Sequence, residues 1–165
     1  MDCPYSFINY SFTMDFFDLI RSGNLEEIKK KVEGDSSLLS KTDSKGFPPL
    51  IMASYVDQSE IAAYLLEAGA DINAKDAAGN TALMGVSFKG NKEIANLLIK
   101  QRADINAQNS QGATALIYTA MFNQSEIAIL LIENGADTTV KDSHGKTAAE
   151  HAEFKGFSEL VSLLA

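Results

Sequence analysis

Residues 76–83 read Asp-Ala-Ala-Gly-Asn-Thr-Ala-Leu, and residues 109–116, 33 positions later, read Asn-Ser-Gln-Gly-Ala-Thr-Ala-Leu. The glycine of this stretch stands at the same interval four times, at Gly46, Gly79, Gly112 and Gly145. A fixed period of this length predicts a stack of similar supersecondary units rather than a globular domain built around one catalytic pocket. Because a stack presents a long surface, the spacing favours binding over catalysis.

Each unit predicts a turn followed by two helices. Asp43 and Gly46 occupy the first and fourth positions that suit a type I turn. Thr81 and Thr114 stand where the first helix should begin, so their hydroxyls can cap free backbone N–H groups. In the second helix, apolar residues recur at helical spacing and predict a buried stripe. They are Ile61, Leu65 and Leu66, then Ile94, Leu97 and Leu98, then Ile127, Leu130 and Leu131.

Three full units span residues 43–75, 76–108 and 109–141, each with Glu-Ile-Ala in the second helix and Ala-Asp after it. Together with the turn that opens each unit, this pattern resembles the ankyrin repeat. The resemblance implies an all-α fold, an ankyrin-repeat solenoid of helix-turn-helix units with β-hairpin-like turns. Residues 14–42 are interpreted as a degenerate N-terminal capping repeat and residues 142–165 as a C-terminal capping repeat.

Residues 1–13 do not match the repeat, and we expect them to form a disordered N-terminal arm. The alternative is that the aromatic residues of this segment pack on the first repeat. They are Tyr5, Phe7, Tyr10 and Phe12.

The repeats depart from the family pattern at one core position. In the family a Thr-Pro-Leu-His sequence follows the turn, and its Thr and His make hydrogen bonds that tie adjacent units. Here apolar Ile51, Met84 and Ile117 replace the His in the three full repeats. We therefore expect cohesion between repeats to rely on packing.

Two further positions carry specific expectations. Arg102 stands where two other units have a helix-ending glycine, and a left-handed backbone at this residue would cost about 1 kcal/mol. Asn73 and Asn106 occupy the hairpin position that is hydroxylated in some ankyrin proteins. The simpler interpretation of these two asparagines is that their side chains make the hydrogen bonds of the turn.

Composition limits the classes of function. The chain has 165 residues, with 14 basic and 22 acidic side chains and a formal net charge of −8, which argues against nucleic acid as a partner. Cys3 is the only cysteine, so no disulfide framework or Cys-based metal site is expected. His144 and His151 lack accompanying metal ligands. No catalytic motif appears, and we expect no enzyme activity, cofactor or small-molecule substrate.

The chain shows neither a secretory leader pattern nor a membrane-spanning run of apolar residues, so we expect a cytoplasmic protein that does not bind membranes. The ankyrin resemblance implies that another protein is the partner. It also implies that the partner binds to the hairpin tips and to the concave groove formed by the first helices. On its own the chain is expected to be monomeric.

Candidate contact residues follow from the period. Tyr55, Phe88, Met121 and Phe154 are themselves spaced by 33 residues and should form a ladder along the groove. The full set of predicted partner-binding residues comprises Lys45, Phe47, Tyr55, Val56, Phe88, Lys89, Met121, Phe122, His144, Lys146, Phe154 and Lys155. The alternative is that the aromatic rings only pack against the next repeat. Most acidic residues fall on the second helices or at the repeat ends, where they are interpreted as a solvated face.

The sequence supports three hypotheses for function. The first is a dedicated inhibitor, for instance an immunity-type protein that covers the active site of a toxin. The second is a scaffold or adaptor that bridges two proteins through the groove and the outer helices. The third is a homo-oligomer in which the N-terminal arm docks into the groove of a neighbouring copy.

Overall fold

The computed structural model describes residues 14–165, so the arm predicted for residues 1–13 lies outside the described residues. Within the described part, the chain forms ten α-helices, a short 3₁₀ helix at Ser36–Ser40 and no β-strand. The α-helices are α1 Phe16–Ser22, α2 Leu25–Gly34, α3 Pro49–Tyr55, α4 Ser59–Glu67, α5 Ala82–Lys89, α6 Lys92–Lys100, α7 Ala115–Met121, α8 Ser125–Glu133, α9 Ala148–Lys155 and α10 Ser158–Leu164. The predicted all-α class is confirmed.

The helices form consecutive pairs that stack along one direction. The first helices of the pairs, α1, α3, α5, α7 and α9, each pack against the next one in this row. The second helices α4, α6, α8 and α10 form a parallel layer behind them. This two-layer stack is the solenoid that the 33-residue period predicted.

Helix starts follow the capping residues that the sequence indicated. Thr81 accepts a hydrogen bond from the N–H of Met84 at the start of α5, and Thr114 accepts one from the N–H of Ile117 at the start of α7. At α3 there is no side-chain cap, but Pro49 is the first helical residue. Proline has no N–H to satisfy at that position, so the helix can begin without a cap.

The turn before each first helix is held by one side-chain oxygen. Asp76 Oδ1 accepts hydrogen bonds from the N–H groups of Ala78, at 2.9 Å, and Asn80, at 2.8 Å. The turn ends in a left-handed glycine, Gly79, with φ of 80°. A Cβ on this glycine would lie only 3.0 Å from the backbone nitrogen of Ser110, so the next turn can approach closely.

The core runs the length of the stack between the two helical layers. Leu50, Leu83 and Leu116 are almost fully buried, as are the residues that replace the family's histidine. These replacements are Ile51, Met84 and Ile117. Their burial supports the expected contribution of packing to cohesion between repeats.

Hydrogen bonds between repeats supplement this packing. Asn73 Oδ1 accepts a hydrogen bond of 2.8 Å from the N–H of Asp104 in the next repeat. Asn106 repeats this bond with the N–H of Asp137 and also donates to the carbonyl of Gly135. Loop N–H and C=O groups have no helical partner, and these asparagines satisfy them. Both side chains therefore bridge repeats rather than only closing their own turn.

Arg102 adopts the left-handed conformation expected for a residue that replaces glycine. Its φ is 65°, compared with 101° at Gly69 and 92° at Gly135. Two more non-glycine residues, Asp57 and Asn123, are left-handed in the loops after α3 and α7. Asp and Asn tolerate this conformation better than most residues do, which explains their use there.

Candidate protein-binding surface

The C-terminal ends of α3, α5, α7 and α9 and the turns that precede these helices form one face of the stack, here called the inner face. Four aromatic side chains on this face, here called the aromatic column, remain exposed. The exposed fractions are 49% for Tyr55, 37% for Phe88, 42% for Phe122 and 75% for Phe154.

The third member of the predicted ladder differs from the others. Met121 is half-buried and packs against the core, whereas Phe122, the residue that ends α7, is exposed. The Phe122 ring contacts Phe88 edge-on, with ring centroids 4.5 Å apart, and stacks on Tyr118 at 6.4 Å. Phe88 and Phe122 therefore touch across a repeat boundary and still expose more than a third of their surface.

Two lysine side chains lie over rings of the aromatic column. Lys89 Nζ is 5.0 Å from the centroid of Tyr55 and 3.8 Å from Asp57 Oδ2. Lys146 Nζ is 4.4 Å from the centroid of Phe154. An ammonium over an aromatic face is attracted by the ring quadrupole, by about 0.5–1 kcal/mol at an exposed site. Both cations are thereby held in position on the inner face.

A depression of about 450 Å³ lies at the N-terminal end of the inner face. It brings together four of the residues that the sequence predicted as contacts: Lys45, Phe47, Tyr55 and Val56. Three lining residues were missed: Arg21 belongs to the degenerate first repeat, Asp43 was assigned only to the turn, and Met52 has the pattern of a core residue. Asp43 is the residue that could have indicated Arg21, because the second oxygen of its carboxylate needs a partner. This oxygen accepts a hydrogen bond of 3.3 Å from the Arg21 guanidinium.

The floor of the inner face also holds a polar cluster that the sequence did not predict. The hydroxyl of Tyr118 donates to Asn80 Oδ1 at 3.1 Å, and Asn109 Nδ2 donates to the same oxygen at 2.7 Å. Burial, and then the charge of Asp76, raise the pKa of Tyr118 above its ordinary value. The phenol therefore stays protonated and donates its hydrogen bond to Asn80. This cluster fixes the Tyr118 ring on which Phe122 stacks.

At the C-terminal end, His151 Nε2 lies 2.6 Å from Asp142 Oδ2, and Asp142 Oδ1 accepts the N–H groups of His144 and Lys146. Burial acts to raise the pKa of Asp142, but the bonds from His151, Lys146 and His144 outweigh it and leave the pKa below its ordinary value. The His144 side chain is exposed beside Lys146. Among the described residues no cluster of His, Cys, Asp or Glu could hold a metal ion.

Helix pairs stacked at a fixed interval, with one face of exposed side chains, define a repeat protein of the solenoid class. Residues 83–165 match the family model for ankyrin repeats in three copies, and residues 32–84 match the model for ankyrin repeats in many copies. The chain belongs to the ankyrin repeat family. Ankyrin repeats imply a protein–protein interaction module.

Three curated relatives share part of these repeats. The human 26S proteasome non-ATPase regulatory subunit 10 is 39% identical over 62 residues, 38% of this chain and 27% of the relative. The human DNA-binding protein RFXANK is 36% identical over 59 residues, 36% of this chain and 23% of the relative. NF-kappa-B inhibitor alpha from Gallus gallus is 37% identical over 54 residues, 33% of this chain and 17% of the relative.

The matched segment thus spans about a quarter or less of each relative's length. Within residues 14–165, every helix is too short or too polar to cross a bilayer.

Proposed function

We propose that this chain binds a partner protein through its inner face and inhibits that partner by covering a functional surface. The observation that carries the proposal is the exposed aromatic column of Tyr55, Phe88, Phe122 and Phe154. Turn and core positions repeat because the fold requires them, but the fold does not require large exposed rings. A set of large apolar side chains exposed on one face of a folded protein commonly marks an interaction site.

The exposed area of the aromatic column can be compared with the free energy that association costs. An aromatic side chain buries about 150–250 Å², so the exposed parts of four rings offer roughly 400 Å². Covering that area contributes about 10 kcal/mol at about 25 cal/mol per Å². Association costs about 4–15 kcal/mol, which offsets most or all of this gain. Affinity must therefore come from additional contacts at the turns.

The proposed contact residues are those that the sequence predicted, but we expect them to contribute unequally to binding. The four rings of the aromatic column form its centre, and Met121 contributes mainly to the core behind them. Lys45, Phe47 and Val56 contribute through the depression at the N-terminal end. At the C-terminal end, the exposed residues of the set are His144 and Lys155, beside the half-buried Lys146.

The inhibitory role draws support from the kinds of protein that share these repeats. One relative is named a regulatory subunit and another is named an inhibitor, and neither name denotes an enzyme. Our proposal includes a cytoplasmic location, a monomeric state and an absence of catalytic activity, all three expected from the sequence alone.

A bridging role is the second candidate, because the second helices offer another surface. A groove of about 340 Å³ between α4 and α6 is lined by Glu60, Glu93 and Leu97 among others. Ile129 on α8 is 41% exposed on the same layer of helices. An adaptor would use this layer for a second partner while the inner face holds the first.

The test is affinity capture with the full chain and three variants. Tyr55→Ser and Phe154→Ser alter the aromatic column, while Ile129→Ser removes a similarly exposed apolar side chain from the other layer. The proposal expects a partner that the wild type and Ile129→Ser retain and the other two variants lose. Adding the chain to the purified partner should then suppress that partner's activity.

Two results would contradict this proposal. A partner that all column variants retain would exclude the inner face as its binding site. A partner whose activity is unchanged when bound would exclude inhibition. If Tyr55→Ser loses one bound protein and Ile129→Ser loses a different one, the adaptor role is favoured.

A further inference from the structure

The charges of the inner face are concentrated at its two ends. We propose that the partner presents an extended segment with an apolar middle and acidic residues at both ends, a refinement that rests on the proposed function. The chain carries a net charge of −8, yet each end of the aromatic column carries lysines. The partner chemistry follows from this local pattern rather than from the total charge.

The N-terminal end combines an apolar floor with three cations. Lys89 is held over the Tyr55 ring, and Arg21 and Lys45 line the neighbouring depression. Three acids face these cations: Asp18 and Asp43 lie 2.9 Å and 3.3 Å from Arg21, and Asp57 lies 3.8 Å from Lys89. The two acids beside Arg21 already occupy its guanidinium. The Lys89–Asp57 distance exceeds that of a direct hydrogen bond, so the Lys89 ammonium keeps donors for a carboxylate of the partner.

The C-terminal end repeats this arrangement with different residues. Lys146 is held over the Phe154 ring at 4.4 Å, and Lys155 follows that ring directly in the sequence. Glu150 and Glu153 are the acids that oppose them in helix α9. A lysine held in place by a ring loses less rotamer freedom when it meets a carboxylate, which favours an acidic residue at this position.

The middle of the inner face is almost free of charge. Helix α7 contains no charged residue, and the two central turns carry Ala77-Ala78 and Ser110-Gln111 at their tips. The surface here is the Phe88–Phe122 pair. Unpaired charges on a partner would be desolvated on these rings without compensation, so the middle of the segment must be apolar.

The distance between the two ends gives the spacing of the acidic residues. Three helix-to-helix steps separate α3 from α9, and at about 8–10 Å a step they span about 24–30 Å. An extended chain rises about 3.3 Å per residue, so the acidic residues should stand about seven to nine positions apart.

The experiment selects random peptides of about 12 residues, enough to span the face, from a display library on the full chain. We expect Asp or Glu near both ends of the selected peptides and Phe, Leu or Ile between them. Lys89→Glu should change the preference at one end of the peptide to basic residues, and Lys146→Glu should change it at the other. Lys100→Glu, an exposed charge on α6, is the matched control and should change neither end.

For a selected acidic peptide, Lys89→Gln or Lys146→Gln should weaken binding at least about tenfold. Thermal melting of each variant shows that it remains folded. Peptides that lose binding to Phe154→Ser but show no preference for acids would overturn this inference and leave the proposed function standing. If no selected peptide depends on Tyr55 or Phe154, both the inference and the proposed function are contradicted.

Discussion

At the scale of single residues, the first position of each turn does more than start a turn. Asp43, Asp76, Asn109 and Asp142 each accept two backbone N–H groups through Oδ1. The second side-chain atom then makes a contact that differs in each repeat. For Asp43 this contact is Arg21, and for Asp142 it is His151. The bonds to Oδ1 explain why Asp or Asn recurs at this position. The contacts of the second side-chain atom explain residue types that occur in only one repeat.

The lowered pKa of Asp142 gives a pH dependence that can be tested. Because its pKa is lower in the folded chain than in the unfolded one, ionised Asp142 stabilises the fold at neutral pH. That contribution is lost as the pH falls through the folded pKa. We expect Asp142→Asn to cost about 1 kcal/mol near neutrality, because the charge opposite His151 is gone. Urea denaturation should show this difference narrowing as the pH falls from about 7 to about 3. A difference that stays constant would contradict the assignment.

Arg102 gives a second prediction at this scale. A glycine would relieve the left-handed strain of about 1–2 kcal/mol, and the greater entropy of the unfolded chain would offset part of that gain. We therefore expect Arg102→Gly to raise the melting temperature. The control is Gln101→Gly, because Gln101 has φ of −85° and gains nothing from glycine. If Arg102→Gly melts at a lower temperature than the wild type, the strain argument fails.

At the scale of helices and loops, the sequence predicted what recurs within one unit. Capping threonines, buried stripes and the left-handed Arg102 all follow from local chemistry at fixed spacing. The asparagine bridges, the Arg21–Asp43 pair and the exposure of Phe122 instead of Met121 did not. Each depends on how one repeat lies against the next, and a single-unit pattern contains no information about that. The division into repeats and the contact set remain predictions.

The asparagine bridge at Asn106 can be measured as a contribution to coupling between repeats. Asn106→Ala removes the hydrogen bonds to the N–H of Asp137 and to the carbonyl of Gly135, so both groups must bond to water instead. Since both groups are exposed, we expect a loss of about 1 kcal/mol in unfolding free energy and faster hydrogen exchange at Asp137. Asn96→Ala on α6 is the control and should not lower the unfolding free energy, because alanine has a higher helix propensity than asparagine. Unchanged exchange at Asp137 would show that the bridge does not couple the repeats.

At the scale of the whole molecule, the stack separates two surfaces with different chemistry. The second helices carry most of the acids that the sequence assigned to a solvated face, including Glu60, Glu93 and Glu126. The inner face carries the exposed rings of the aromatic column, with Lys89 over Tyr55 and Lys146 over Phe154. The net charge of the chain therefore does not describe the two ends of the proposed interface, where these lysines supply local positive charge.

Hydrogen exchange of the full chain, with and without the captured partner, tests the central claim most directly. Binding at the inner face predicts slower exchange in the turns before α3, α5, α7 and α9 and at the C-terminal ends of these helices. The second helices α4, α6 and α8 should exchange at unchanged rates on their outer faces. Protection confined to those second helices, with no change near Tyr55, Phe88 and Phe154, would contradict the account.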